Sequence, residues 1–527
     1  MVQAQTRKAV DVMDDGTGKV PTAQVEVEDR ELLQSMRWWD GFVVCLANPG
    51  FLIAALGGSV LALGTAGATV LWTASVLFGF FQNLVYAELA LMFPTKPGGI
   101  ALFAHEAWRK YFSLIGPIAT FGYWFAWSSV LAVNGLVVGT LVQAKWFAST
   151  TWSASGAHFL LNLPIFIGIG VILFVWLFNV LGMRIGLWVG YVTGRLLIIP
   201  LLVLMFGGYF TGDWHSSSMT FSFPASSGDA ALLAITWMYF MGWSSYGFEA
   251  VATFAPEYHE PKRDLPTGLI TAAVFSILVY SLLPLGTGGV LGTKAISSDP
   301  TAIAFYVGAF DRILGSAGAD VMIAFMVAGL ILSMNTATMD GSRALYGVSR
   351  DGMTIKQFGV LSDRHVPARA MTLDMVLNIW LLTFFHGALP IIAAGNLGYF
   401  LAHIFAQSGF FLLRKDRASW PRPYRLSGAL LPVAGFVLAA NIAFLVMGGW
   451  VEANRYGYGL SKTLIGLAVV CIGVLAFVFR RVVQEHTSIH WRESTPTMPD
   501  AESTRAFESM GVALDGQVQR SAPLAAR

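Results

Sequence analysis

Apolar runs of about 20 residues, the length a helix needs to cross roughly 30 Å of hydrocarbon, recur along this chain from end to end. Twelve are counted, over residues 38–63, 66–93, 114–142, 163–181, 185–209, 231–254, 268–291, 320–346, 370–385, 389–413, 430–450 and 464–479. Backbone in lipid must satisfy its own hydrogen bonds, and the runs are continuous rather than alternating, so helices are expected and a β-barrel is excluded. Charge supports this: only 12% of residues are charged, against about a quarter in a soluble domain, so lipid must cover much of the surface. A net charge of +2 over dense apolar sequence excludes nucleic-acid binding and long disorder. The two cysteines, Cys45 and Cys471, lie inside apolar runs and read as packing residues rather than as a bridge or metal site.

Orientation follows from where lysine and arginine fall in the short loops. With the N-terminus inside, the cytoplasmic loops hold 16 of them and the outer loops only five, Lys145, Lys294, Arg312, Arg455 and Lys462. Both termini are therefore expected in the cytoplasm, as disordered segments over residues 1–36 and 482–527, with no removed signal peptide. No GxxxxGK[ST] loop occurs, so the chain carries no ATP-driven motor.

Two runs are interrupted at membrane depth. Run 1 contains Ala47-Asn48-Pro49-Gly50-Phe51, where proline removes a donor and glycine releases the backbone; a kinked and an unwound helix both fit. Run 6 contains Trp243-Ser244-Ser245-Tyr246-Gly247-Phe248-Glu249, and an acid at that depth points to a functional site. The interruptions are five runs apart. Five is odd, so a repeated five-helix unit must be inverted, over residues 37–215 and 229–414, with two helices over 428–481 outside the repeat.

Several stretches resemble the amino acid/polyamine/organocation superfamily of secondary transporters. They are Tyr86-Ala87-Glu88-Leu89-Ala90 with Pro97-Gly98-Gly99, Phe178 to Arg184, Gly247-Phe248-Glu249 followed by Glu257, Pro261, Arg263 and Pro266, and Ser342 to Tyr346 with Ser349 to Met353. The resemblance implies an all-α membrane protein of twelve transmembrane helices, a LeuT-like five-plus-five inverted repeat with broken helices 1 and 6. It implies a plasma-membrane permease for amino acids or related amines, sodium-independent, using proton symport or substrate exchange, and neither an enzyme nor the holder of a cofactor or metal. A polyamine or other organic-cation carrier of the same fold is the alternative, ahead of a channel or a sensor. Amino acid permeases of the exchanger type usually carry Gly-Ser-Gly in the first break, where this chain has Asn48-Pro49-Gly50.

A free amino acid needs donors for its carboxylate and acceptors for its ammonium, which broken helix ends supply. The expected donors are Gly50, Phe51 and Leu52; the expected carbonyl acceptors are Leu46, Ala47, Trp243 and Ser244, near the Gly247 break. The resemblance makes Trp243 an aromatic gate over the substrate, and aligns Arg195 with a span 5 lysine that places positive charge between spans 1 and 8. Arg195 lies eleven residues after Arg184, about 16 Å deep at 1.5 Å per residue, and its rival role is a helix anchor. Ser333, Asn335 and Thr336 then become its neighbours. Glu249 is the candidate proton carrier, since burial favours a protonated carboxyl, or else the anionic partner of a cationic substrate. Glu88 reads as an inner-gate salt bridge, His403 as a packing residue, and Tyr399 and Asn134 as polar groups that can face the site.

Overall fold

The computed structural model describes residues 36–156, 159–385, 387–451, 460–496 and 498–512. The expected N-terminal arm up to residue 35, the tail beyond residue 512 and Arg455 lie outside the described residues. The chain is helical throughout: α1 (Trp38–Cys45), α2 (Asn48–Met92), α3 (Gly99–Trp108), α4 (Ile115–Ser128), α5 (Val130–Trp146), α6 (Leu163–Leu181), α7 (Met183–Leu202), α8 (Gly208–Thr211), α9 (Ser227–Ser245), α10 (Pro261–Ser297), α11 (Phe305–Arg350), α12 (Ala368–Phe384), α13 (Ala388–Asp416), α14 (Leu431–Ala443), α15 (Leu460–Phe479) and α16 (Ala501–Ser509). A short antiparallel hairpin, β1 (Ser153–Ser155) and β2 (Leu160–Asn162), precedes α6. Asn162 then caps α6, its side chain accepting from Ile165 N at 3.1 Å, with Pro164 in the first turn where a missing N–H is tolerated.

Among the described residues, nine helical stretches are long and apolar enough to cross a membrane. The first of them, Trp38–Met92, contains a reversal at Gly64, whose φ of +74° is open to glycine without strain. Gly292 in α10 has the same φ, and Thr65 and Thr293 beside these glycines bond to each other at 3.2 Å. Two runs counted in the sequence are helices that fall short of that description. α12 has 17 residues, and α9 spends its first turn on Ser227, Gly228 and Asp229.

Burial sorts the helices. The apolar windows of the first stretch and of Ile115–Trp146 are mostly inside the bundle, whereas α6, α14 and α15 bury one face and leave the other exposed, as expected of helices ringed by lipid. The tail that composition reads as disordered is packed over its described part. Trp491 stacks on Phe112 with ring centroids 5.8 Å apart, Ser113 N donates to Trp491 O at 2.9 Å, and Phe507 of α16 is fully buried. Two apolar anchors in a polar segment hold it.

Candidate functional site

Both interruptions are present, displaced slightly from the sequence expectation. The first falls at Leu46–Ala47, between α1 and α2, and Pro49 sits in the first turn of α2 rather than breaking it. That position suits proline because helix-start N–H groups have no intrahelical acceptor. The second falls at Tyr246, where α9 gives way to a tighter 3-10 segment, Gly247–Glu257. The two meet closely: a Cβ on Gly247 would lie 2.9 Å from Asn48 Oδ1 and 3.0 Å from the Phe51 ring, and one on Gly50 would collide with Ser333 Oγ. Gly247 lets the second interruption approach the first, and Gly50 lets α2 approach Ser333 of α11. The Tyr280 hydroxyl, which sequence reasoning missed, ties the two interruptions together at 2.8 Å from Asn48 O and 2.7 Å from Ser244 O.

Several expected ligand groups are already engaged within the protein. Ala47 O accepts from Ser333 Oγ at 2.6 Å and from Gly50 N at 3.0 Å, and Ser244 O accepts from Tyr280. Leu46 and Leu52 are buried in the core. Phe51 and Trp243 instead present their rings to a small cleft, lined also by Ala126, Trp127, Val130 and Tyr399. The Phe51 centroid is 5.6 Å from both Trp127 and Trp243.

Glu249 lies behind this aromatic wall with no exposed surface. Its Oε1 accepts from the Tyr399 hydroxyl at 2.6 Å and from Trp127 Nε1 at 3.1 Å, while Oε2 has no hydrogen-bond partner. Tyr399 thus lines the cleft and reaches Glu249. Asn134 is buried with neither side-chain polar atom bonded and does not line the cavity. His403, one turn from Tyr399, is buried, with its Nδ1 2.7 Å from the Tyr86 hydroxyl and 2.6 Å from Gln82 Nε2 and its ring packed on Tyr399, a packing residue with a hydrogen bond.

The expectation for Arg195 is corrected. It is exposed on the outer stripe of α7 with Ile185, Trp188, Val192, Ile199 and Leu202, and it is Gly194 that faces Leu46 and Leu332. Successive residues of a helix are rotated by about 100°, so a one-residue difference turns the side chain away from α1 and α11. Ser333 and Thr336 are accordingly bonded to the carbonyls of Ala47 and Val44, at 2.6 and 3.2 Å, and Asn335 to Gly186 O and Asn179.

Two further buried acids were missed. Asp340 of α11 accepts from the Tyr123 hydroxyl at 2.8 Å, and Asp374 of α12 from Trp124 Nε1 at 2.7 Å; in each the second oxygen is unbonded. Tyr123, Trp124 and Trp127 of α4 therefore reach three carboxyl groups on three different segments. An acid inside an apolar run was the available signal.

The end of the bundle carrying Glu88 and Glu106 is built differently. Glu88 is buried between Arg414 and Arg422, with Arg422 Nε at 3.1 Å and Leu426 N at 2.8 Å. Glu106 of α3 bonds Lys96 at 3.0 Å and Arg417 at 2.6 Å. Burial opposes its charge, but Lys96, Arg109 and Arg417 hold its carboxyl well below the usual range. Burial drives the neighbouring His105 imidazole down to about 3.

Apolar helices around a buried polar pocket define a multi-pass membrane protein, and the family places it among transporters rather than enzymes. The amino acid permease model matches residues 40–478, and the chain belongs to that family, within the amino acid/polyamine/organocation superfamily. It is similar to the branched-chain amino acid permease BcaP of Bacillus subtilis, 23% identical over 79% of this chain and 88% of that protein. Its similarity to the serine/threonine exchanger SteT of the same organism is 25% over 80% and 90%. BcaP of Lactococcus lactis is 25% identical over half of this chain, and the chain spans about half of that relative's length, 51%.

Proposed function

We propose that this chain is a twelve-span permease of the plasma membrane, with both termini cytoplasmic, that moves amino acids by alternating access around the paired interruptions at Leu46–Ala47 and Tyr246. The five-plus-five inverted repeat is part of this reading, supported by the two interruptions, one in each proposed half. Substrate occupies the cavity between Phe51, Trp127, Trp243 and Tyr399. Trp243 acts as the gate over it, and Glu249 carries a proton or, in an exchange cycle, stays loaded.

The observation that carries this reading is the Glu249 carboxyl, fully buried against the cavity wall with one free oxygen and no ion pair among the described residues. Such a group is far easier to hold neutral than charged. Loading and unloading it on opposite sides links a proton to the substrate step. Sodium independence is carried here by the family resemblance alone, because Arg195 faces away from α1 and α11. Glu88, with Arg414 and Arg422, closes the cytoplasmic side of the same pathway.

A second reading, a carrier of organic amines, is favoured by one feature. Pro49 has no N–H and the Gly50 N–H is spent on Ala47 O, which leaves a weak cradle for a carboxylate, while aromatic faces suit a cation. Uptake of labelled neutral, acidic and basic amino acids and diamines into sodium-free proteoliposomes separates the two. Gradient-driven, saturable accumulation of a neutral amino acid supports the first reading. Uptake of diamines alone supports the second, and no uptake or exchange of any of them overturns both.

A further inference from the structure

Ile115–Trp146 is one stretch of membrane length, yet it is built from two helices, α4 and α5, separated at Ser129. No proline or glycine stands there; the residues are Trp127-Ser128-Ser129-Val130. Ser129 sits at φ −60° and ψ −16°, tighter than an α-helical residue, and its Oγ donates to Ala126 O at 2.8 Å. The N–H of Ala132, which in a regular helix is given to the carbonyl four residues back, donates to Asn378 Oδ1 of α12 at 3.0 Å. Asn378 Nδ2 in turn donates to Ser128 Oγ at 2.9 Å and to Asp374 O at 2.8 Å. Ser128, Ser129 and Asn378 have no exposed surface.

α12 turns Val376 and Trp380 outward, while Asp374 and Asn378, four residues apart, share the opposite face. From that face α12 holds both sides of the interruption. Asp374 Oδ1 accepts from Trp124 Nε1 on α4 at 2.7 Å, and Asn378 takes the N–H of Ala132 on α5. Polar side chains between membrane helices commonly serve as glue, but this one takes up a main-chain N–H at the winding that feeds the cleft. Ala126 and Trp127 come before Ser129 and Val130 after it, and all three line the cleft. The Ala126 carbonyl also accepts from Trp243 Nε1 at 3.4 Å, so the indole proposed as the gate rests on the interruption. Successive residues of a helix are rotated by about 100°. A change of winding at Ser129 therefore turns Trp127 against Val130 and moves the carbonyl that Trp243 meets.

We propose that Asn378 is a positioning residue of the transport site. By accepting the Ala132 N–H it holds the Ser129 interruption open, which places Trp127 and Val130 in the cleft and fixes the Ala126 carbonyl against which Trp243 closes. Without it the N–H returns to the main chain, α4 and α5 wind on as one regular helix, and the cleft changes shape while the fold persists. The inference rests on the reading that substrate occupies this cleft under Trp243, but not on Glu249 being the proton carrier.

The test uses the full chain in detergent with 5-fluorotryptophan in place of tryptophan, which keeps the indole N–H, and reads its fluorine NMR spectrum. Trp127→Phe and Trp243→Phe assign their two resonances, and Trp450→Phe assigns a control residue, exposed after α14. Asn378→Leu should shift the Trp127 and Trp243 signals and leave that of Trp450 in place. Asn378→Ser, too short to reach Ala132, should do the same and keeps the test decisive if Asn378→Leu does not fold. Transport is read in sodium-free proteoliposomes with labelled leucine, glutamate, lysine and putrescine as probes. Either variant should raise the apparent KM about three- to tenfold, the size of one lost hydrogen bond. Turnover per folded molecule should stay within about twofold, whereas a merely structural residue would cost folded protein and leave KM alone. Trp243→Phe, which cannot donate to Ala126 O, should raise KM too, and the double variant should fall short of the product of the two effects. Unmoved Trp127 and Trp243 signals, an unchanged KM or a full product each overturns the proposal. If none of the four probes enters or exchanges in the parent vesicles, it is the permease reading that fails, and the spectra still decide whether Asn378 positions the two tryptophans.

Discussion

Two groups of buried carboxylates in this chain differ in what faces them. At the charged end, Glu88, Glu106 and Glu257 each meet at least one arginine. In the middle, Glu249, Asp340 and Asp374 accept from phenol and indole donors of α4 and α13, and each keeps one oxygen unbonded among the described residues. The first arrangement is fixed, because removing either partner leaves an uncompensated charge indoors. The second shows no ion pair among the described residues, so a neutral carboxyl fits there and the groups can gain and lose a proton. One residue type does two jobs, and the neighbours decide which.

The largest effect expected from breaking this comparison is at Glu106. Glu106→Ala leaves the buried Arg417 without its carboxylate and should destabilise the protein by about 3–5 kcal/mol, read as a lower unfolding midpoint in detergent; a change near zero would put Glu106 with the unpaired acids. Trp243→Ala opens the aromatic wall and should raise the apparent KM about tenfold, near 1.4 kcal/mol, read on the folded fraction because loss of this buried indole also lowers stability. Unaltered kinetics would remove Trp243 from the site.

His105 sharpens the comparison through pH. Its imidazole titrates at about 3 rather than 6.5, so the unfolded chain binds more protons between those values. The stability it contributes is complete above about pH 6.5 and is lost as pH falls toward 3, by up to about 1.4 kcal/mol per pH unit. His105→Phe should flatten that slope, and melting curves from pH 7 to 4 check it. Arg195→Ala should have the smallest effect, with uptake within about twofold of the parent and no gained sodium dependence, as for an outward-facing residue without a described partner. Sodium-stimulated uptake in that variant would return Arg195 to the region between α1 and α11.

Much of the fold was legible because lipid imposes length and continuity on apolar runs, and the two interruptions were legible because proline and glycine mark them to within a few residues. Rotation about a helix axis was not. Arg195 and Gly194 are neighbours in sequence and face different surroundings, and only the packing of α7 on Leu46 and Leu332 decides between them. Trp127 was hidden for a related reason, since it reaches Glu249 from 122 residues away. Asp340 and Asp374 carried a signal of their own, an acid within apolar sequence, whereas the donors that hold them come from distant α4.

The most direct test of the central claim is to reconstitute Glu249→Gln beside the parent in sodium-free proteoliposomes and compare accumulation under an inward proton gradient with exchange at equal pH. Glutamine keeps the shape and the hydrogen bonds from Tyr399 and Trp127 but cannot take up a proton. The account predicts that gradient-driven accumulation is lost while exchange persists. Accumulation at the parental level in Glu249→Gln would contradict it.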